Sequence, residues 1–324
     1  PGLPEGRRAM GKYFYVGPRD YASAIREFEL VLKDVPPSAE LLVDIAAAHR
    51  RLGDFQKSIE VFKNAEALDP ADAAPPFEIA VSSTYLRRFE DAETYFRKAT
   101  VLGSSQWMSP FLEAVNRWRG WGDLEGARQL LIGAGADRLQ YAPQEPTWYT
   151  LSLYERNFAA ILPWLDNWTT DISETQFSVL TADQLRGMAY DFIGDHETAV
   201  RCYTRAMNRL RIELAKRPDD ARLHASLGQV LAGLDRKDEA IREGEEAVRL
   251  MPTSRDAMVG PVIEQDLAII LARMGETERA LEILERLIRI PSWLTVHALR
   301  LDPRWDSLRD HPRFKKLVEE GSTP

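Results

Sequence analysis

Histidine is the side chain best suited to move protons or hold a metal near neutral pH. This chain has five: His49, His196, His224, His297 and His311. No two stand at the H-x3-H or HExxH spacing that puts two imidazoles on one helix face around an ion, so no metal site is expected. Cys202 is the single cysteine, which excludes an intramolecular disulfide and a thiolate cluster. It fits a reducing compartment, and a cytoplasmic location is expected. There is no GxxxxGK[ST] phosphate loop, no HRD or DFG string and no GxSxG elbow. Carboxylates are abundant, as in DRKDEAIREGEE, but they alternate with basic residues at helical spacing. That pattern describes a solvated, salt-laced face rather than an acid–base pair. No catalytic residue and no cofactor are expected, which leaves recognition. Asn116 offers a donor and an acceptor, and Arg119, close on the same stretch, offers a two-pronged fork. Together they could grip a peptide backbone or a carboxylate, although solvated groove side chains are the plainer reading.

The 324 residues carry 42 basic and 50 acidic side chains, a net charge of −8. An acidic chain lacks the electrostatic footprint of a nucleic-acid binder and is unsuited to a polybasic membrane-surface role. No apolar run approaches the roughly 18–20 residues a membrane helix needs. At about 100–200 residues per domain, length alone predicts two globular domains.

A repeat replaces that prediction. The stretch AELLVDIAAAHRRLGDFQKSIEVFKNAEALDP, from Ala39 to Pro70, reads helix, turn, helix, stop. Gly53 breaks the first helix, and Pro70 ends the unit because it cannot continue the hydrogen-bond ladder. A small or apolar residue recurs at Ala24, Ser58, Ala92, Ala127, Ile161, Ala199, Ala240 and Ala280. Four residues after each come Phe28, Phe62, Phe96, Leu131, Leu165, Tyr203, Gly244 and Leu284. The turns ahead of them read GPRDY, LGDF, LRRF, WGDL, ERNF, IGDH, LDRK and MGET. The steps are 34, 34, 35, 34, 38, 41 and 40 residues, so the last three units are stretched.

A period of about 34 residues with this Ala-x3-Phe-to-Pro pattern is the tetratricopeptide signature. The expected fold is therefore all-α: a right-handed α-solenoid superhelix of about eight helix pairs over residues 1–290, capped by residues 291–324. In the cap, Trp305, Leu308, Phe314 and Leu317 should dock on the last repeat. The unbroken AVRCYTRAMNRLRIELAKRP, from Ala199, should be one long helix. The fifth unit is degenerate, squeezed by Pro143, Pro146 and Pro163.

In such arrays the first helices line the concave face. The inward set would comprise Val43, Ala47 and Arg50, then Phe77, Val81 and Thr84, then Leu112, Asn116 and Arg119. Later units add Gln184, Met188 and Asp191, then Arg222 and Gln229, then Gln265. Repeats that clamp a terminal carboxylate need Lys and Asn where Val43 and Ala47 stand, which disfavours that ligand. Six of the eight tryptophans fall between Trp107 and Trp168. The cluster that includes Trp148, Tyr149 and Trp164 packs irregular helices in the plainer reading. An exposed hot-spot surface, or a wall for a small molecule, is the alternative. The loop ADRLQYAPQEPTW, from Ala136, is expected to be exposed.

RDYASAIREFELVLKDVP, LAKRPDDARLHASLGQVLAGLDRKDEAIREGEEAVRLMPTSRDA and LRLDPRWDSLRDHPRFKKLVEE resemble the C-terminal tetratricopeptide regions of bacterial multidomain signalling proteins. There the repeats follow a cyclase, a serine/threonine kinase or a winged-helix domain. The resemblance implies a non-catalytic region that binds a protein or peptide and regulates an effector upstream of residue 1. The opening PGLPEGRRAMGKYF, with neither initiator methionine nor signal-like start, is expected to be interior to a longer protein. A small-molecule sensor is the second reading.

Overall fold

The computed structural model describes residues 3–103, 108–133, 147–166, 168 and 170–320. Eight helix hairpins run in order. They are α1 (Pro4–Val16) with α2 (Tyr21–Asp34), α3 (Ala39–Arg51) with α4 (Phe55–Leu68), and α5 (Ala74–Tyr85) with α6 (Phe89–Val101). Then come α7 (Met108–Trp121) with α8 (Leu124–Gly133), and α9 (Thr147–Tyr154) with the short α10 (Ile161–Asp166). The last three are α11 (Ala182–Ile193) with α12 (His196–Lys216), α13 (Ala221–Gly233) with α14 (Lys237–Leu250), and α15 (Gly260–Arg273) with α16 (Thr277–Arg289). The cap follows as α17 (Val296–Leu301), a 3-10 turn (Pro303–Leu308) and α18 (Pro312–Glu320). The fold class is the all-α tetratricopeptide solenoid. No helix among the described residues is long and apolar enough to cross a membrane.

The repeat phase has a direct structural cause. All eight small positions are at most 2 % exposed, Ser58 included. A larger side chain there would push the two helices of a hairpin apart. Five residues before each stands the one turn residue with left-handed backbone. These are Arg19, Gly53, Arg87, Gly122, Arg156, Gly194, Asp235 and Gly275, with φ between 55° and 91°. In six turns the next amide bonds back to the carbonyl five residues earlier, as Asp54 to His49 and Glu276 to Leu271. That bond closes the helix end and requires the left-handed residue. Only four of the eight are glycine, so the geometry of the hairpin overrides the roughly 1–2 kcal/mol that a Cβ costs in this conformation.

Packing divides the chain into two compact units. The first comprises residues 1–116, 253–258 and 291–293. Its core joins Phe28, Ile45, Phe62 and Ile79 from successive hairpins. The second comprises residues 117–252, 259–290 and 294–324. There, α12 is the long helix expected from its unbroken sequence, at 21 residues. The cap buries Trp305, Leu308 and Phe314 against Leu281, Leu284 and Leu287 of α16, with Leu317 partly buried beside them.

One addition was not legible as a helix pattern. Between α10 and α11 lies an antiparallel ribbon, β1 (Ile172–Glu174) with β2 (Val179–Thr181), pairing Ile172 with Thr181. It is pinned to α13 by Arg222, which donates to the Thr175 carbonyl at 2.5 Å, and by Ser226, which donates to that of Val179.

Tyr203 of α12 shows why two first-helix positions are glycine. A Cβ on Gly187 of α11 would stand 2.6 Å from its ring, and one on Gly233 of α13 equally close. The ring fills the space both leave. Replacing Gly187 with alanine should therefore lower unfolding stability by about 1–2 kcal/mol in a urea titration: overpacking costs about 1–3 kcal/mol, partly offset by alanine's helix preference of roughly 1 kcal/mol.

Candidate functional site

In the first unit the inward set is tied up structurally. Arg50 is 5 % exposed and pairs with Glu78 at 2.5 Å, its guanidinium 5.6 Å from the Phe62 ring centre. Thr84, buried, donates to Asn116 Oδ1 at 3.0 Å. Asn116 is fully buried, and its Nδ2 has no hydrogen-bond partner. Phe77 is half-buried and packs edge-on against Phe96. None of Arg50, Thr84 and Asn116 stands in solvent, as a groove side chain should.

The second unit arranges its inward residues differently. Arg119 is half-buried, and its charge favours ionisation of the buried Tyr154 hydroxyl, which burial itself opposes. Arg222 leaves the inward row altogether, held by Asp220 at 2.7 Å and by the ribbon. Of the three aromatics, Tyr149 and Trp164 are buried with ring centres 6.4 Å apart, and Trp148 lies half-buried under Arg128. Burial pushes the Tyr149 hydroxyl well above the ordinary tyrosine range. These three are packed as core. The loop from Ala136 lies, but for its last two residues, outside the described residues.

Gln184, Met188 and Gln229 do come together. With Phe192, Tyr203, Ala232, Ile269, Ile270, Arg273, Pro303, Arg304 and Ser307 they line a recess of about 260 Å³. Its walls come from the first helices α11, α13 and α15 and from the cap. Tyr203 reaches it from α12 between the two glycines. Asp191 stands beside it and pairs with Arg273 at 2.5 Å, while its other oxygen meets His196 Nδ1 at 2.8 Å. Arg273 also donates to the Ala232 carbonyl at 2.9 Å and sits 5.9 Å from the Tyr203 ring centre. Arg304 is held by both oxygens of buried Asp302, at 2.6 Å and 3.0 Å. Burial opposes that guanidinium's charge, but Asp302 outweighs it and holds the charge firmly.

Asp266, one turn before Ile269, accepts a hydrogen bond from Gln229. Surrounding protein pushes its carboxyl up to about 7, and Arg304 and Gln229 only partly oppose this. It nonetheless keeps some exposed area. Sequence reading included neighbouring Gln265 but not Asp266, Arg273 or Arg304. The last belongs to the cap, and nothing in the repeat pattern shows where a cap folds back.

No group of three His, Cys, Asp or Glu side chains among the described residues could hold a metal ion. Nor does any titratable pair in the recess resemble a nucleophile and its base.

Residues 15–73 and 185–255 match the family model described as Tetratricopeptide repeat. Both segments carry tetratricopeptide repeats. The second contains Gln184's neighbours on α11, all of α13 and hence Met188 and Gln229. Repeats of this class generally serve as protein-interaction scaffolds, stacking into extended binding surfaces. No curated protein matches the chain. Among solved structures, the chain is similar to a tetratricopeptide repeat protein from Parabacteroides merdae, at 14 % identity, 98 % and 97 % coverage of the two chains and a TM-score of 0.38. It is also similar to a TPR2AB-domain:pHSP90 complex of yeast Sti1, at 17 % identity, 98 % coverage of each chain and a TM-score of 0.32. A third is the MamA protein, at 16 % identity, 76 % and 91 % coverage and a TM-score of 0.29. Overlays this loose do not decide fold or partner.

Proposed function

We propose that the chain is a non-catalytic module that binds a protein or peptide partner through the recess of its second unit. The observation carrying this is the convergence of Gln184, Met188 and Gln229, from the first helices of two successive repeats, on one concavity whose largely apolar wall carries a few polar groups. Residues 1–290 serve as the repeat array and 291–324 as its cap, with Asp191 supporting the rim. The partner is an extended segment, because the recess holds one side chain and the neighbouring first helices can carry the rest. The signalling role belongs to the same proposal: a regulatory region of a bacterial cytoplasmic protein, acting on an effector encoded upstream of residue 1. Regulation would require a partner with different affinity for two effector states.

Selection of displayed random peptides on the full chain tests the binding reading. Recovered peptides should bind with micromolar dissociation constants by calorimetry. Met188→Trp, which fills the recess from a half-buried position, should weaken them at least tenfold. Unchanged affinity in that variant would move the partner surface elsewhere. The gene sequence upstream of Pro1 tests the signalling role, since an effector domain should be encoded there.

A further inference from the structure

Helix α1 has one side in the fold and one side out of it. The inner side packs on α2 and α3. Gly11 is buried where a Cβ would run into the Phe28 ring, and Arg8 pairs with Asp44 of α3 at 2.9 Å. The outer side is apolar and open to solvent. Leu3 at the N-cap, Met10, Tyr13 and Val16 are between 45 % and 75 % exposed. No other helix among the described residues exposes more than two large hydrophobic side chains. Gly6 and Ala9, both exposed, lie between them, and at helical spacing the six residues form one stripe. A contiguous apolar stripe of this kind marks an interaction surface. The last hairpin shows what such a face requires, since Trp305, Leu308 and Phe314 of the cap cover it.

Gly6 needs its own explanation. A glycine inside a helix weakens it relative to alanine. At Gly11 the Phe28 ring accounts for the choice, whereas a Cβ on Gly6 would meet nothing within 4 Å. The hollow at Gly6 therefore faces outward.

The stripe fits a copy of itself running the other way. With Ala9 opposite the second copy's Met10, Gly6 falls opposite Tyr13 and Leu3 opposite Val16. The two small residues thus receive two bulky ones, as close helix packing requires. The charges on one flank agree. Glu5 and Lys12, both exposed, stand two turns apart on the same side of the stripe. A two-fold axis sets that flank against itself in reverse, so each Glu5 meets a Lys12. Glu5 makes no ion pair among the described residues, and Lys12 stands 3.6 Å from Asp44. Rim charges of this kind fix register more than they add affinity.

We propose that the chain forms a homodimer, the exposed face of α1 packing antiparallel on the same face of a second copy. The interface is isologous, with the same residues on both sides. It goes beyond the peptide-binding reading and does not depend on it. α1 has 13 residues, so it is about 20 Å long. One helix pair of that length buries less than the roughly 800 Å² per partner of a standard interface, so the dimer should form in the micromolar range.

Sedimentation equilibrium of the full chain, from micromolar to a few hundred micromolar concentration, tests this. The mass should rise from one copy to two. Tyr13→Glu should weaken association at least tenfold. Gly6→Leu fills the hollow and should weaken it as much, while thermal unfolding shows the single chain no less stable. Glu5→Lys should weaken it severalfold, and adding Lys12→Glu should restore it. Oxidative cross-linking reads the orientation. Ala9→Cys lies beside the two-fold axis and should join its own copy, while Leu3→Cys should not, because antiparallel helices hold the two Leu3 positions about 20 Å apart. Cys202 is buried, which leaves the reaction to the introduced thiol. A chain that stays monomeric throughout overturns the proposal and gives the face to another occupant, such as a segment preceding Pro1. A dimer that survives Tyr13→Glu or Gly6→Leu overturns it as well. So does a double charge swap no tighter than Glu5→Lys alone, or cross-linking of Leu3→Cys in place of Ala9→Cys. Peptide binding that Met188→Trp weakens would stand in each of these cases, because the recess lies in the other unit.

Discussion

Replacing Asp256 with alanine should lower the stability of the first unit by about 3–5 kcal/mol, the cost of breaking a buried ion pair by removing one partner. Asp256 is fully buried. It accepts from Tyr21 Oη at 2.6 Å, from Arg51 Nη1 at 3.1 Å and from the Met258 amide at 3.0 Å. Arg19 stands 3.8 Å away. The carboxylate thus ties the 253–258 segment to α2 and α3 within the same unit, helped by the Ala257 amide, which donates to the Arg51 carbonyl at 2.8 Å. Burial and the neighbouring carboxylate hold the Tyr21 hydroxyl far above its ordinary range, so it remains a donor at any working pH. Tyr21→Phe removes one hydrogen bond to a charged acceptor and should cost about 1.5–3 kcal/mol. A urea titration should show both losses in the transition of the first unit. Equal, small effects would mean that the segment is held by packing alone.

Trp305→Ala should cost about 3–5 kcal/mol, the range for truncating a large buried aromatic. Its side chain is fully buried among Leu271, Leu281, Leu284, Leu299, Leu308 and Phe314. A solenoid's terminal repeat exposes an apolar face unless something covers it, and here Trp305 is the largest side chain doing so. Its indole Nε1 has no hydrogen-bond partner. Trp305→Phe should therefore cost less than half as much, because only volume is lost. Thermal unfolding of the two variants checks this. A large loss for phenylalanine as well would show that shape, not burial, sets the stability of the cap.

The repeat was legible because every hairpin solves the same close-packing problem. Ala24 and Ala280 lie 256 positions apart, yet each admits only a small side chain. The turns were legible as a position rather than a residue type: Arg87, Arg156 and Asp235 take the conformation glycine takes elsewhere. The ribbon at Ile172–Glu174 was not legible. Its strands are three residues each, too short for alternation to show, and they are held by side chains of α13 distant in sequence. The two-unit packing was equally hidden, since residues 253–258 join the first unit through contacts far apart in sequence, such as Asp256 with Tyr21 and Arg51 and the Ala257 amide with the Arg51 carbonyl. For the recess, repeat phase put Gln184, Met188 and Gln229 on the inward row. Phase could not tell that Arg222, on the same helix as Gln229, turns away to the ribbon. Nor could it show that Asn116 is sealed by Thr84, or that Arg304 arrives from the cap.

Hydrogen–deuterium exchange of the full chain, with and without a peptide recovered by display, tests the central claim most directly. Bound peptide should slow exchange in α11, α13 and the 303–308 turn of the cap, and should leave α3 and α5 in the first unit unchanged. Protection confined to α3 and α5, with none around Gln184, Met188 and Gln229, would contradict it.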